Sequence, residues 1–426
     1  MQRTTRRQFL GRMGLVSAAM TLPGFVDRSA LAATDTDWYT KDRPGVPDDR
    51  VLVVVQLSGG NDGLNCVVPI GEPAYYRGRP SLAIAENDAL DIGVDGLGLN
   101  PQMRGIQQML GEGRAAIVNG VGYPNPNRSH FKSMDIWHSA KTEERDMRGK
   151  GWVGNAMDTA YPLDEHGNAP DAAAMATLAL GSDAPMATQG EHVKPVTFQN
   201  PDAFRWTARD LGATLSDAYD ELHTTANTPQ TEPADPLAFI HRTACDAEAA
   251  SGRVRAAVAR DTETRFTNNN ALAQQLAMVS KMIAAELPTR VYYVTLGGFD
   301  THAQQQGRQS ALLAAFSQAM SQFYAELDAT GHAGRVVSVA FSEFGRRVRQ
   351  NASGGTDHGV AGPSFVFGDA VNAGVHGSYP SLTDLDNGDL KHTTDFRGLY
   401  ADLLDNWMQI DAAAALGARF QHVGLF

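Results

Sequence analysis

The chain has 426 residues, 36 Lys and Arg against 48 Asp and Glu, a formal charge of −12, and only two cysteines, Cys66 and Cys245. This acidity excludes a surface made for nucleic acid or anionic lipid, and two cysteines exclude a disulfide-dense scaffold while leaving open either one bridge or two buried free thiols. The length allows a large core, and no internal repeat or low-complexity block marks a boundary, so the expectation is one large α/β domain with insertions.

The chain opens with Thr5-Arg6-Arg7-Gln8-Phe9-Leu10, an apolar stretch from Met13 to Val26, and Ala30-Leu31-Ala32. Paired arginines, a short apolar run and a small-x-small cleavage motif form a twin-arginine export signal, and the run falls short of the roughly 20 residues that span a bilayer. Residues 1–33 are therefore set apart from a single domain over 34–426. The mature protein is expected in the periplasm or outside the cell, exported already folded by the twin-arginine machinery. Removing residues 1–32 takes away five arginines and one aspartate, leaving 31 basic and 47 acidic residues and a charge of −16. No later stretch is apolar enough to span a membrane.

Val51 to Leu57 is an aliphatic run that predicts a strand buried on both faces, and Ser58-Gly59-Gly60-Asn61-Asp62-Gly63 then predicts a tight turn presenting Asp62. Pro101 to Gly111 has the spacing of a short helix, and Ala115 to Gly122 reads as the next strand. Its loop, Tyr123 to Phe131, contains Arg128, Ser129 and His130, with Ser129 able to open a helix bearing Met134 and Trp137. From about 151 to 235 the composition suggests a loop-rich insertion or cap, with one apolar strand at Ala176 to Leu180. Helices are expected over Pro236 to Arg260 and Asn269 to Leu287, with their apolar faces in the core. A strand from Arg290 to Leu296 ends in Gly298-Phe299-Asp300-Thr301-His302, and after a helix from Gln309 to Leu327 a strand from Arg335 to Phe341 ends in Ser342-Glu343-Phe344-Gly345-Arg346. The polar segment Asn351 to Gly359 carries Asp357-His358, Ser364 to Gly368 is a fifth strand, His376 falls in the next loop, and Asp395 to Met408 is a terminal helix.

Strands alternating with helices imply a mainly parallel sheet covered on both faces, a three-layer α/β sandwich whose strand ends deliver their loops to one edge. That edge gathers Asp62, Ser129, Asp300, His302, Glu343, Asp357 and His358. So many carboxylates repel one another unless a cation joins them, and mixed Asp, Glu and His donors suit zinc, manganese or iron. Each residue also has a plain structural reading. Asp62, Asp300 and His302 could belong to solvated turns, Glu343 could pair with Arg346 or Arg347, and Ser129 could be a helix cap or a nucleophile beside Arg128. His130 and Asn61 are candidates for orienting ligands or the transition state, and His376 for a last ligand or a surface residue.

The motifs Ser58 to Gly63, Asn127 to Phe131, Gly298 to His302, Ser342 to Arg346 and Thr356 to Gly359, together with the export signal, resemble the bacterial exported family catalogued as domain of unknown function 1501. That resemblance implies an alkaline phosphatase and sulfatase-like fold, with one or two divalent metal ions (zinc, manganese or calcium) beside a Ser, Thr or formylglycine nucleophile. Carried over, Asp62 resembles the metal ligand of the first strand, Ser129 stands at the nucleophile position in chain order, Asp300 and His302 resemble one metal pair, and Asp357-His358 the other. The chain departs from the superfamily in having Glu343 at the strand end and Asp357 well beyond it, so either Glu343 replaces the usual Asp or the loop folds back. The implied activity is hydrolysis of a small anionic phosphate or sulfate ester. The rival is a non-catalytic exported protein that keeps the fold and serves in binding or surface assembly.

Overall fold

The computed structural model describes residues 49–165, 167, 169–201, 250–259, 265–267 and 270–426. The expected signal segment, Cys245 and most of the helix expected from Pro236 lie outside the described residues. Strand β1, Val51–Ser58, occupies the middle of the sheet. Its Val51, Val53, Val55 and Leu57 enter one apolar core, and Leu52 and Val54 enter the other. Successive side chains on a strand face opposite ways, so an unbroken aliphatic run such as Val51 to Val55 is stable only where both faces are covered.

In chain order there follow α1 (Arg104–Gly111), β2 (Ala115–Gly122), α2 (His130–Ser139), α3 (Trp152–Ala160), β3 (Thr177–Leu180), β4 (Val196–Phe198), α4 (Ala271–Ala284), β5 (Val291–Gly297) and α5 (Gln305–Ala329). The chain continues through β6 (Val336–Phe341), a hairpin of β7 (Arg346–Gln350) and β8 (Thr356–His358), then β9 (Gly362–Phe367), β10 (Gly374–His376), β11 (Thr394–Asp395) and α6 (Phe396–Asp402). The sheet runs β10-β2-β9-β6-β1-β5-β3-β4, with β11 also on β2. Helices α1, α4 and α5 cover one face, while α2, α3 and α6 cover the other. This is a three-layer sandwich about a mixed, mostly parallel sheet. Among the described residues no helix is long and apolar enough to cross a membrane.

Two features depart from the sequence pattern. Strand β9 runs antiparallel to β2 and β6, whereas every other pairing in the sheet is parallel. The reason is the hairpin: β8 returns to the start of β7, with His358 opposite Arg346, so β9 starts at the edge where β6 ended and has to run back. The stretch expected as a loop-rich insertion supplies α3, the inner strand β3 and the edge strand β4, with residues 202–249 outside the described set. Cys66 is a buried free thiol 3.5 Å from Met103 Sδ, and burial pushes it up to about 12.

Helix α2 brings one ionisable group into the core. His138 Nε2 lies 3.0 Å from Gln56 Oε1 and 3.1 Å from the Tyr293 hydroxyl. Burial disfavours the charged ring and lowers its pKa from 6.5 to about 4. The unfolded chain therefore takes up a proton that the folded chain refuses, so stability present above pH 6.5 is lost as the pH falls toward 4, amounting to about 3 kcal/mol. A His138→Leu variant should show a shallower decline over that window in urea unfolding midpoints. Parallel declines in the two proteins would rule this out.

Candidate metal centre

The turn after β1 passes close beneath the turn after β5. Gly59, at φ +120°, would place a Cβ 2.5 Å from the Asp300 backbone nitrogen, so only glycine permits the approach. Gly60, at φ +72°, leaves the space taken by the Phe344 ring. Arg346, on the first residue of β7, fills the gap. It donates to the carbonyls of Gly59 (2.5 Å), Gly60 (2.7 Å), Phe299 (3.2 Å) and Thr356 (2.8 Å), and to Asp300 Oδ1 (2.7 Å). Burial works against the Asp300 charge, but the hydrogen bond and positive charge of Arg346 outweigh it and hold the carboxyl down at about 2.

Around Asp300 Oδ1 stand three imidazole nitrogens: His302 Nε2 at 3.0 Å, His358 Nε2 at 3.2 Å and His130 Nε2 at 3.4 Å. His130, Asp300 and His358 offer donor atoms that all lie within 4.8 Å of one another. The His302 and His358 Nε2 atoms face each other at 2.8 Å. The opposite nitrogen of each ring is turned to an acceptor: His130 Nδ1 to Glu343 Oε1 at 2.7 Å, His302 Nδ1 to Asp357 Oδ1 at 3.4 Å, and His358 Nδ1 to the Arg128 carbonyl at 2.8 Å. Such partners keep the proton on Nδ1 and direct the Nε2 lone pair inward. The bond to Glu343, opposed by burial, raises the pKa of His130, and burial above all lowers that of His358. A hydrogen bond from Asn351 heads the causes that lower Asp357.

These residues fit a metal ion. His130 Nε2 is buried without a hydrogen-bond partner, and one carboxylate oxygen already bonded to Arg346 cannot also satisfy three rings. Lone pairs facing each other at 2.8 Å require a shared proton or cation. Donors bound to one tetrahedral ion at roughly 2.0–2.1 Å stand about 3.3 Å apart. The nitrogen-to-oxygen separations of 3.0 to 3.4 Å have that scale. His130, Asp300 and His358 could together hold one ion, with His302 Nε2 beside them. Among the described residues no other such group is found.

Not every residue singled out by the sequence reaches this centre. Asp62 is buried and committed elsewhere: Arg79 meets both its oxygens at 2.5 and 2.8 Å, with Gln305 Nε2 at 2.5 Å and the Leu64 N–H at 3.2 Å. Rather than facing the cluster, this carboxylate neutralises Arg79, a residue that no local signal singles out. Glu343 and Asp357 stand behind His130 and His302, on the side away from the converging Nε2 atoms, because their oxygens already meet the Nδ1 atoms. Among the described residues the ion-pair partner of Glu343 is His130, not Arg346 or Arg347. Asn61 turns to α5, where Gln309 Nε2 donates to its Oδ1 at 3.3 Å. His376 pairs opposite Val118 on the sheet edge, with Nε2 on the Asn372 carbonyl at 2.7 Å, and is not brought to the cluster. Ser129 is the exposed N-cap of α2, its hydroxyl making no capping bond, and the Arg128 side chain reaches Asp389 at 3.2 Å.

Fold and cluster together define an α/β protein with a candidate His/Asp metal site at the carboxyl ends of its parallel strands. The chain belongs to the family described as "Protein of unknown function (DUF1501)", whose model matches residues 49–416. No curated protein matches it. Among solved structures it is similar to Ps i-CgsB in complex with k-i-k-neocarrahexaose (10% identity, TM-score 0.35, covering 87% of this chain and 73% of that one). It is also similar to a protein in the alkaline phosphatase superfamily from Vibrio parahaemolyticus (7%, TM-score 0.35, 88% and 71%). A third is the PsFucS1 sulfatase from Pseudoalteromonas sp. (9%, TM-score 0.34, 97% and 72%).

Lysine carries three donors in place of the five of arginine and lacks its planar fork, so Arg346→Lys leaves buried carbonyls unpaired. The variant should lose roughly 3 kcal/mol in urea unfolding. An unchanged midpoint would show that the guanidinium does not hold these turns together.

Proposed function

We propose that this protein is an exported, metal-dependent hydrolase of phosphate or sulfate esters. The observation that carries the reading is the convergence of three imidazole Nε2 atoms on one carboxylate oxygen at the edge where α/β sheets bind their ligands. His130, Asp300, His302 and His358 would hold one divalent ion, and a nitrogen-rich set favours zinc or manganese over calcium. Bound there, the ion would supply a Lewis acid for the ester oxygen. Ser129 would be the nucleophile, its hydroxyl exposed and free of a capping bond at the start of the ten-residue α2. The positive end of that helix and Arg128 would draw the anionic group toward Ser129. The side chain of Asp300 is 47% exposed, which leaves the centre open to a substrate. Export rests on the paired arginines and cleavage motif of residues 1–33.

One observation favours a second reading. Because Asp62 is committed to Arg79, the described residues gather a single ligand set, which suits a protein that holds one ion and serves in binding or surface assembly. Metal analysis of the purified mature chain, followed by turnover of nitrophenyl phosphate and sulfate, separates the two. Near one zinc or manganese per chain is expected, with turnover abolished by chelation and restored by the metal. Asp300→Asn should lower metal content, while Ser129→Ala should keep the metal and lower turnover at least about hundredfold. A chain with bound metal and no turnover would support the second reading, and one that takes up no metal would sink both.

A further inference from the structure

Glu343 is 1% exposed and lies two residues beyond the end of β6. The Gly59 N–H donates to its Oε1 at 2.9 Å and Oε2 at 3.2 Å, and Ser342 Oγ lies 3.2 Å from Oε2. Its remaining contact is His130 Nδ1 at 2.7 Å, the shortest of the three ring-to-acceptor distances around the centre. Both partners are held on one frame, because Ser133 Oγ, one turn along α2 from His130, donates to the Glu343 carbonyl at 2.5 Å. Asp357 differs in every respect: it is 57% exposed, 3.4 Å from His302 Nδ1, and shared with Asn351 Nδ2 at 3.0 Å. The third ring, His358, is met by a backbone carbonyl.

From this asymmetry we infer that Glu343 is a positioning residue that sets the metal affinity of the centre through His130, while Asp357 contributes little. The inference rests on the metal reading given above. A buried carboxylate facing one ring makes that ring a stronger donor and fixes its orientation, whereas an exposed carboxylate is screened by water. The charge of Glu343 gains its best partner when His130 shares an ion, so carboxylate and ion favour each other's place.

The test is zinc affinity of the folded mature protein, by competition with a chromophoric chelator, with the unfolding midpoint of the zinc-free protein as a check on the fold. Glu343→Gln keeps the shape and an acceptor for Gly59, and should weaken zinc binding about 10–100-fold. Asp357→Asn should weaken it by less than about fivefold. In a His130→Ala background the Glu343→Gln change should add nothing, because the route through the ring is gone. Should Glu343→Gln fail to fold, Glu343→Asp withdraws the carboxylate and gives the same readout. Wild-type zinc binding left unchanged by the Glu343 variants, or weakened equally with and without His130, overturns this assignment alone. A wild-type protein that binds neither zinc nor manganese overturns the metal reading and the assignment with it.

Discussion

The arrangement depends on one guanidinium. Arg346 is fully buried, and its five contacts reach the turn after β1, the turn after β5 and the start of β8. These are the segments that carry Asp300, His302 and His358. A planar fork with donors in fixed directions suits that task, since it can serve several carbonyls at once without bending the backbone toward it. Every acceptor but one is a main-chain carbonyl, so the arginine fixes backbone geometry first and one carboxylate second.

Arg79 and Asp62 repeat the device one layer deeper. Arg79 bonds the Arg347 and Val348 carbonyls at 2.9 and 3.0 Å while holding Asp62, and Gln305 links that pair to the Thr356 hydroxyl at 2.6 Å. The two strands of the hairpin are thus attached to the β1 turn through two buried arginines. A carboxylate at the mouth of the sheet can serve a site without touching what the site binds, by anchoring the segment that presents the donors. Removing either charge would leave the other buried and unpaired, which costs far more than the pair itself contributes.

Much of the fold was legible because aliphatic runs and glycine turns are local signals. The run at Val51 needs two cores, and Gly59-Gly60 mark a turn whose φ angles only glycine adopts freely. The direction of β9 was not legible, because it follows from the hairpin before it rather than from its own residues. Within the site, sequence brought the right loops to the right edge but could not rank the carboxylates. Asp62, Asp300, Glu343 and Asp357 look alike in a sequence, and their different uses come from neighbours far along the chain: Arg79 for Asp62, Arg346 for Asp300, His130 for Glu343. His130 itself is legible only as a candidate for the transition state or for orienting ligands, since nothing local shows that helix α2 starts against the end of β6.

The donors at positions 130, 300, 302 and 358 come from the start of a helix, a strand-end turn and a hairpin, so they meet only when the whole sheet has formed. An unfolded chain offers no such group, and an ion that binds only the folded form stabilises it by mass action. Timing follows from this topology. Were the chain to fold before export, as proposed, the ion would be chosen by whatever the folding compartment supplies, and the destination would inherit that choice.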